Sequence, residues 1–87
     1  MFILMFYDVG EKRVNKVLKT GRRYLNWVQN SVLEGDLSPA TFERLKVDIR
    51  KILDLQYDSV LFYAWNTERY MSREVVGVER GSTDFIV

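Results

Sequence analysis

An α+β sandwich, with two helices laid on one face of an antiparallel sheet, is the fold class that this sequence predicts. Three observations carry that reading. The apolar runs 2–7 and 60–65 lack polar alternation, so they read as strands buried on both faces. The stretches 11–23 and 39–53 repeat apolar residues at helical spacing. Strands and helices follow one another in the manner of the ferredoxin-like βαββαβ sandwich, with one short strand added at the C-terminal end.

Residues 2–8, Phe-Ile-Leu-Met-Phe-Tyr-Asp, form the first strand and end in a single carboxylate, Asp8. An acid held rigidly at the tip of a central strand suits a metal or catalytic position. It equally suits a turn acceptor or a cap for the helix that follows. In that helix, 11–23, Val14, Val17, Leu18 and Gly21 stand at i, i+3, i+4 and i+7. Lys12, Lys16, Lys19 and Arg23 gather within about 60° of one another on the opposite side, flanked by Arg13 and Arg22. No acid interrupts the stripe, which reads as a solvated face or as a nucleic-acid contact.

Residues 24–34 read as the second strand, and Asn26, Gln29, Asn30 and Ser31 mark it as an edge. Gly35-Asp36 reads as a turn. Ser38 suits an N-cap and Pro39 the first position of the helix 39–53, with Phe42, Leu45, Ile49, Ile52 and Leu53 facing inward. That helix mixes charge signs outside, which points to solvent. A loop over 54–58 leads to the third strand, 59–65, and residues 66–72 form a polar connection. The fourth strand covers about 74–78, with Gly77 marking a bulge or close approach. Residues 1–78 thus form the domain, and 79–87 a C-terminal strand or tail in which Phe85, Ile86 and Val87 serve dimer or partner contacts.

Composition excludes much. At 87 residues the chain supports one domain with a modest core. It has no Cys and no His, so disulfides, thiol nucleophiles, Ser-His pairs and His-rich zinc sites are all absent. Any metal would be held by oxygen, which favours Mg2+ or Mn2+. The opening apolar run is too short to span a bilayer and no basic region precedes it, so the expectation is a cytoplasmic protein without membrane contact. The net charge of +1 hides an asymmetry: residues 1–33 carry +4 and residues 34–87 carry −3.

Two helices cover only one face of a sheet whose central strands are apolar on both. A two-fold dimer with sheet faces together hides the other. If the axis passes near the end of the first strand, two Asp8 carboxylates meet and can hold one divalent cation. A ferredoxin-like small-molecule sensor also dimerises through its sheet, but it needs neither Asp8 nor the basic stripe.

Three segments carry a family resemblance: Tyr7-Asp8-Val9 with the helix start Lys12-Arg13-Val14; Trp27-Val28-Gln29-Asn30-Ser31-Val32-Leu33-Glu34-Gly35; and Val76-Gly77 with the ending Thr83-Asp84-Phe85-Ile86-Val87. Together they resemble the CRISPR-associated protein 2 family, over essentially the whole chain. The resemblance implies a homodimer of ferredoxin-like subunits with Asp8 as an interfacial magnesium ligand. Tyr7 and Arg13 accompany it as catalytic candidates, and Gln29 and Ser31 match the second-strand motif. Trp27 departs from the arginine that many members carry there, and Leu33 from their phenylalanine. Two functions follow from the resemblance. One is a scaffold that binds duplex DNA and works with the CRISPR integrase in spacer acquisition. The other is a magnesium-dependent endonuclease on RNA or duplex DNA. On the residues themselves the scaffold ranks first, since one acid per chain and no His make a sparse active site. The stripe Lys12, Arg13, Lys16, Lys19, Arg22 and Arg23 is the expected nucleic-acid contact.

Overall fold

The computed structural model describes residues 1–66 and 70–80. In them β1 (Phe2–Asp8), α1 (Glu11–Arg22), β2 (Asn26–Gln29), β3 (Val32–Asp36), α2 (Pro39–Ile52), β4 (Ser59–Trp65) and β5 (Met71–Gly77) follow in order. The sheet runs β2-β3-β1-β4-β5, and every neighbouring pair is antiparallel. This is the ferredoxin-like order with β5 added outside β4. β1 and β4 are interior, as their unbroken apolar runs predict.

The register shows how both faces of β1 are used. Ile3, Met5 and Tyr7 point to the helices and join Leu33, Val60, Phe62, Ala64 and Val76 in the core. From above, α1 contributes Val17 and α2 contributes Phe42, Leu45 and Ile49. Phe42 meets Phe62 edge-on at 5.4 Å, joining α2 to the sheet. On the other face, Phe2, Leu4, Phe6 and Trp65 are half-buried, while Leu61 and Tyr63 are buried. Rings chain across it: Phe6 to Tyr63 at 6.2 Å, Tyr63 to Trp65 at 6.0 Å and Trp65 to Phe2 at 6.0 Å. Neither helix lies over this face.

Residues 24–34 are not one strand. The chain reverses at Asn30-Ser31, where Asn30 takes φ 42°, and makes the hairpin β2–β3. Asn is among the few residues that accept this backbone, so Asn30-Ser31 is a turn signal inside an otherwise strand-like composition. The hairpin supplies the two strands that the sandwich needs between its helices. Gly35 and Asp36, expected as a turn, are paired residues of β3. The strand expected over 74–78 starts earlier, at Met71, because β5 forms a hairpin with the whole of β4. Ser38 caps α2 as expected, its Oγ accepting the Thr41 amide at 3.2 Å, with Pro39 following. Residues 81–87, with Phe85, Ile86 and Val87, lie outside the described part.

Candidate nucleic-acid interface and the Asp8 cluster

Asp8 ends β1 opposite Ser59, the first residue of β4, and its side chain is 61% exposed. Three segments gather around it: the β1–α1 turn, the α2–β4 loop and the residues after β5. They enclose an open cavity of about 440 Å³ lined by Asp8, Gly10, Glu11, Tyr57, Val78 and Arg80 among others. The Arg80 guanidinium lies 3.4 Å from the Asp8 carboxylate and also donates to the Tyr57 carbonyl. Residues 79–80 are therefore tied back onto the domain, Glu79 through a two-pronged pair with Arg73.

Asp58 holds these segments together. Its carboxylate is fully buried. One oxygen accepts the Gly10 amide at 2.8 Å and Arg13 Nη2 at 3.0 Å. The other accepts Arg13 Nε at 2.5 Å and the Asp54 amide at 2.9 Å. Its backbone carbonyl takes the Val78 amide at 2.8 Å. The Arg13 hydrogen bonds, with those of the two amides, hold the Asp58 carboxyl at about 2 against the opposing effect of burial. Two glycines make this crowding possible. A Cβ at Gly10 would collide with the Arg13 guanidinium, and one at Gly77, where φ is +94°, would collide with the Asp58 carbonyl.

The structure separates residues that the sequence placed together. Tyr7 and Asp8 are consecutive on a strand and face opposite sides. The Tyr7 ring lies in the core, and its hydroxyl donates to the Asn30 carbonyl at 3.3 Å. Burial pushes its phenol above the ordinary value, and the ring lies on the face of the sheet opposite the Asp8 side chain. Arg13 leaves the basic stripe and folds onto Asp58 as a two-pronged pair. Its hydrogen bonds to Asp58 raise its already high pKa.

The rest of the stripe is exposed. Lys12, Lys16, Lys19 and Arg22 on α1, and Arg23 just beyond its end, all face solvent. Arg23 lies 3.8 Å from Asp48 of α2. Among the described residues no salt bridge reaches Lys12, Lys16, Lys19 or Arg22. By contrast the α2 cation Lys46 is occupied, by Glu43 at 2.6 Å and Glu74 at 2.8 Å. The basic face of α1 thus carries uncompensated charge, and it begins directly beside the Asp8 cavity.

Residues 1–73 match the family described as CRISPR associated protein Cas2. The chain belongs to the Cas2 family. It is 50% identical over 86 residues to the CRISPR-associated endoribonuclease Cas2 of Thermotoga maritima, covering 99% of each chain. It is 46% identical over 87 residues to the protein of the same name from Dictyoglomus turgidum, covering 100% of each. Among solved structures, one described as the crystal structure of cas2 matches with a TM-score of 0.69 and 34% identity, over 100% of this chain and 98% of that one. Streptococcus pyogenes Cas2 matches with a TM-score of 0.69 and 36% identity, over 76% of this chain and 87% of that one.

For a Cas2-family chain the question of a metal rests on Asp8. Among the described residues no three acidic side chains come together as ligands. Asp8 stands with a guanidinium beside it, so one subunit alone does not fit a divalent ion. Gln29 precedes the β2–β3 turn and Ser31 lies in it, and neither lines the Asp8 cavity; the Ser31 carbonyl accepts the Tyr7 amide at 3.1 Å. Sequence reasoning missed Asp58 and Arg80. Asp58 carried a faint signal, an acid immediately before a strand too apolar to tolerate it unpaired. Arg80 carried none, because it meets Asp8 only through the tertiary fold, from a position beyond the end of β5. No helix among the described residues is long and apolar enough to cross a membrane.

Proposed function

We propose that this Cas2-family chain is a DNA-holding scaffold of spacer acquisition. Two copies join through their sheet faces, bind duplex DNA through α1, and present it to the CRISPR integrase for insertion into the array. One observation carries this reading: Lys12, Lys16, Lys19 and Arg22 stand exposed on α1 without an acidic partner among the described residues, on a face that no acid interrupts, whereas on α2 the acids Glu43 and Asp48 stand among the cations. Lys and Arg contacts of this kind position a duplex by its phosphates without reading sequence. The ring-lined face opposite the helices supports the dimer, since half-exposed aromatic rings are an interface surface. Residues 79–87, with Phe85, Ile86 and Val87, are assigned to partner contacts.

A magnesium-dependent endonuclease, on single-stranded RNA or duplex DNA, is the second reading. Asp8 favours it, being an exposed carboxylate at a rigid strand end within an open cavity. The endoribonuclease names of the relatives agree. In this reading the second subunit's Asp8 completes the ligand set for Mg2+ or Mn2+.

Light scattering on the chain mixed with a short blunt DNA duplex tests the scaffold. The expected complex holds two chains per duplex, and the free chain is already a dimer. A monomer that stays monomeric on DNA would sink the reading.

A further inference from the structure

Trp27 lies on β2, the edge strand, opposite Leu33. Leu33 packs beneath α1, where its side chain would touch a Cβ placed on Gly21 at 3.2 Å. Trp27 therefore shares the helix-side face of the sheet but stands beyond the cover of the helices, and it is 50% exposed. The ring is fixed in place. Its Nε1–H donates to the Asn30 carbonyl at 2.9 Å, which satisfies the one polar atom of the indole. The Arg22 guanidinium lies over the ring, 5.7 Å from its centroid. Arg22 and Lys19 in turn line one shallow cavity of about 230 Å³ with Asn15 and Leu18. The basic track of α1 thus ends on a rigid, half-exposed aromatic surface.

A paired base inside a duplex has both faces stacked and offers nothing to such a ring. An unpaired base has a free face, and stacking on an aromatic side chain is insensitive to base identity. We infer that Trp27, backed by Arg22, is a stacking site for an unpaired nucleobase at the point where a nucleic acid lying along α1 leaves the duplex. The ligand class is a duplex with a single-stranded extension. This inference rests on the reading that α1 holds nucleic acid.

The test compares a blunt DNA duplex with the same duplex carrying a short single-stranded overhang. Binding and tryptophan emission are followed for wild type, Trp27→Phe and Trp27→Ala. The overhang is expected to tighten wild-type binding at least about fivefold, the lower end of one stacked base. It is also expected to quench emission. Trp27→Ala loses the tightening and keeps its affinity for the blunt duplex. Trp27→Phe keeps part of the tightening and loses the quench, with Trp65 as a constant emitter. Equal tightening in wild type and Trp27→Ala overturns the inference alone, provided that blunt-duplex binding still depends on Lys16 and Lys19. Blunt-duplex binding that ignores Lys16→Glu and Lys19→Glu overturns both the inference and the reading beneath it.

Discussion

Replacing Lys12, Lys16 and Lys19 together by glutamate is expected to abolish duplex binding at physiological salt while leaving the fold intact. The three side chains are exposed and take no part in the salt bridges among the described residues. Surface changes of this kind alter stability by about 0.5 kcal/mol or less each. Their effect on a polyanion is far larger, because each contact to a phosphate releases condensed counterions. In a dimer the three lysines are present twice, and about six contacts steepen the logarithmic salt dependence by about five. The single variant Lys16→Glu, which still binds measurably, is expected to flatten that slope by about two. Arg23 is best left alone, since its neighbour Asp48 would repel a glutamate there. Filter binding across a salt series checks both expectations. Intact binding by the triple variant would remove α1 from the interface.

Asp58→Ala is expected to cost about 3–5 kcal/mol of stability, the usual result of removing one partner from a buried ion pair. Arg13, the Gly10 amide and the Asp54 amide all lose their acceptor at once. Against a total of about 5–15 kcal/mol for a domain, this is a drop in Tm of more than about 10 °C. Part of the loss is specific to pH. The Asp58 carboxyl is depressed to about 2 in the folded chain, from 3.8. A depressed carboxylate stabilises the fold fully above its unfolded value, and the contribution disappears as pH falls through the folded one. Wild type should therefore lose about 2 kcal/mol between pH 5 and pH 2 that Asp58→Ala does not lose. Denaturant unfolding at both pH values measures the difference. Parallel losses in the two proteins would mean that Asp58 is not the buried anion described here.

Much of the fold was legible because its strongest signals are local. The unbroken apolar runs of β1 and β4 located the interior strands, and Ser38-Pro39 fixed the start of α2. The β2–β3 reversal was hidden because strand-like residues surround a turn of only two. Asn30 accepts the left-handed backbone without a glycine to announce it. The same limit applied to the site. Asp8 stood out as an acid at the end of a run, and the lysines of α1 by their spacing. Arg13 belongs to that stripe by sequence yet serves Asp58, 45 residues away in the chain. A helical wheel counts a cation's position and says nothing about which acid the tertiary fold brings to it. Tyr7 stood next to Asp8 in the sequence, yet adjacency in a strand places the two side chains on opposite faces.

Holding DNA and cutting it are separable, and Asp8 is where the two readings part. Its 61% exposure and, among the described residues, one ion pair at 3.4 Å with Arg80 give it little part in stability, so Asp8→Ala should fold like wild type. The decisive measurement is spacer integration into a CRISPR array by the purified partner integrase, supplied with wild type, Asp8→Ala or the Lys12, Lys16, Lys19 charge reversal. The expected result is insertion at the wild-type rate with Asp8→Ala and none with the charge reversal. Loss of insertion with Asp8→Ala, or insertion preserved by the charge reversal, would contradict the scaffold.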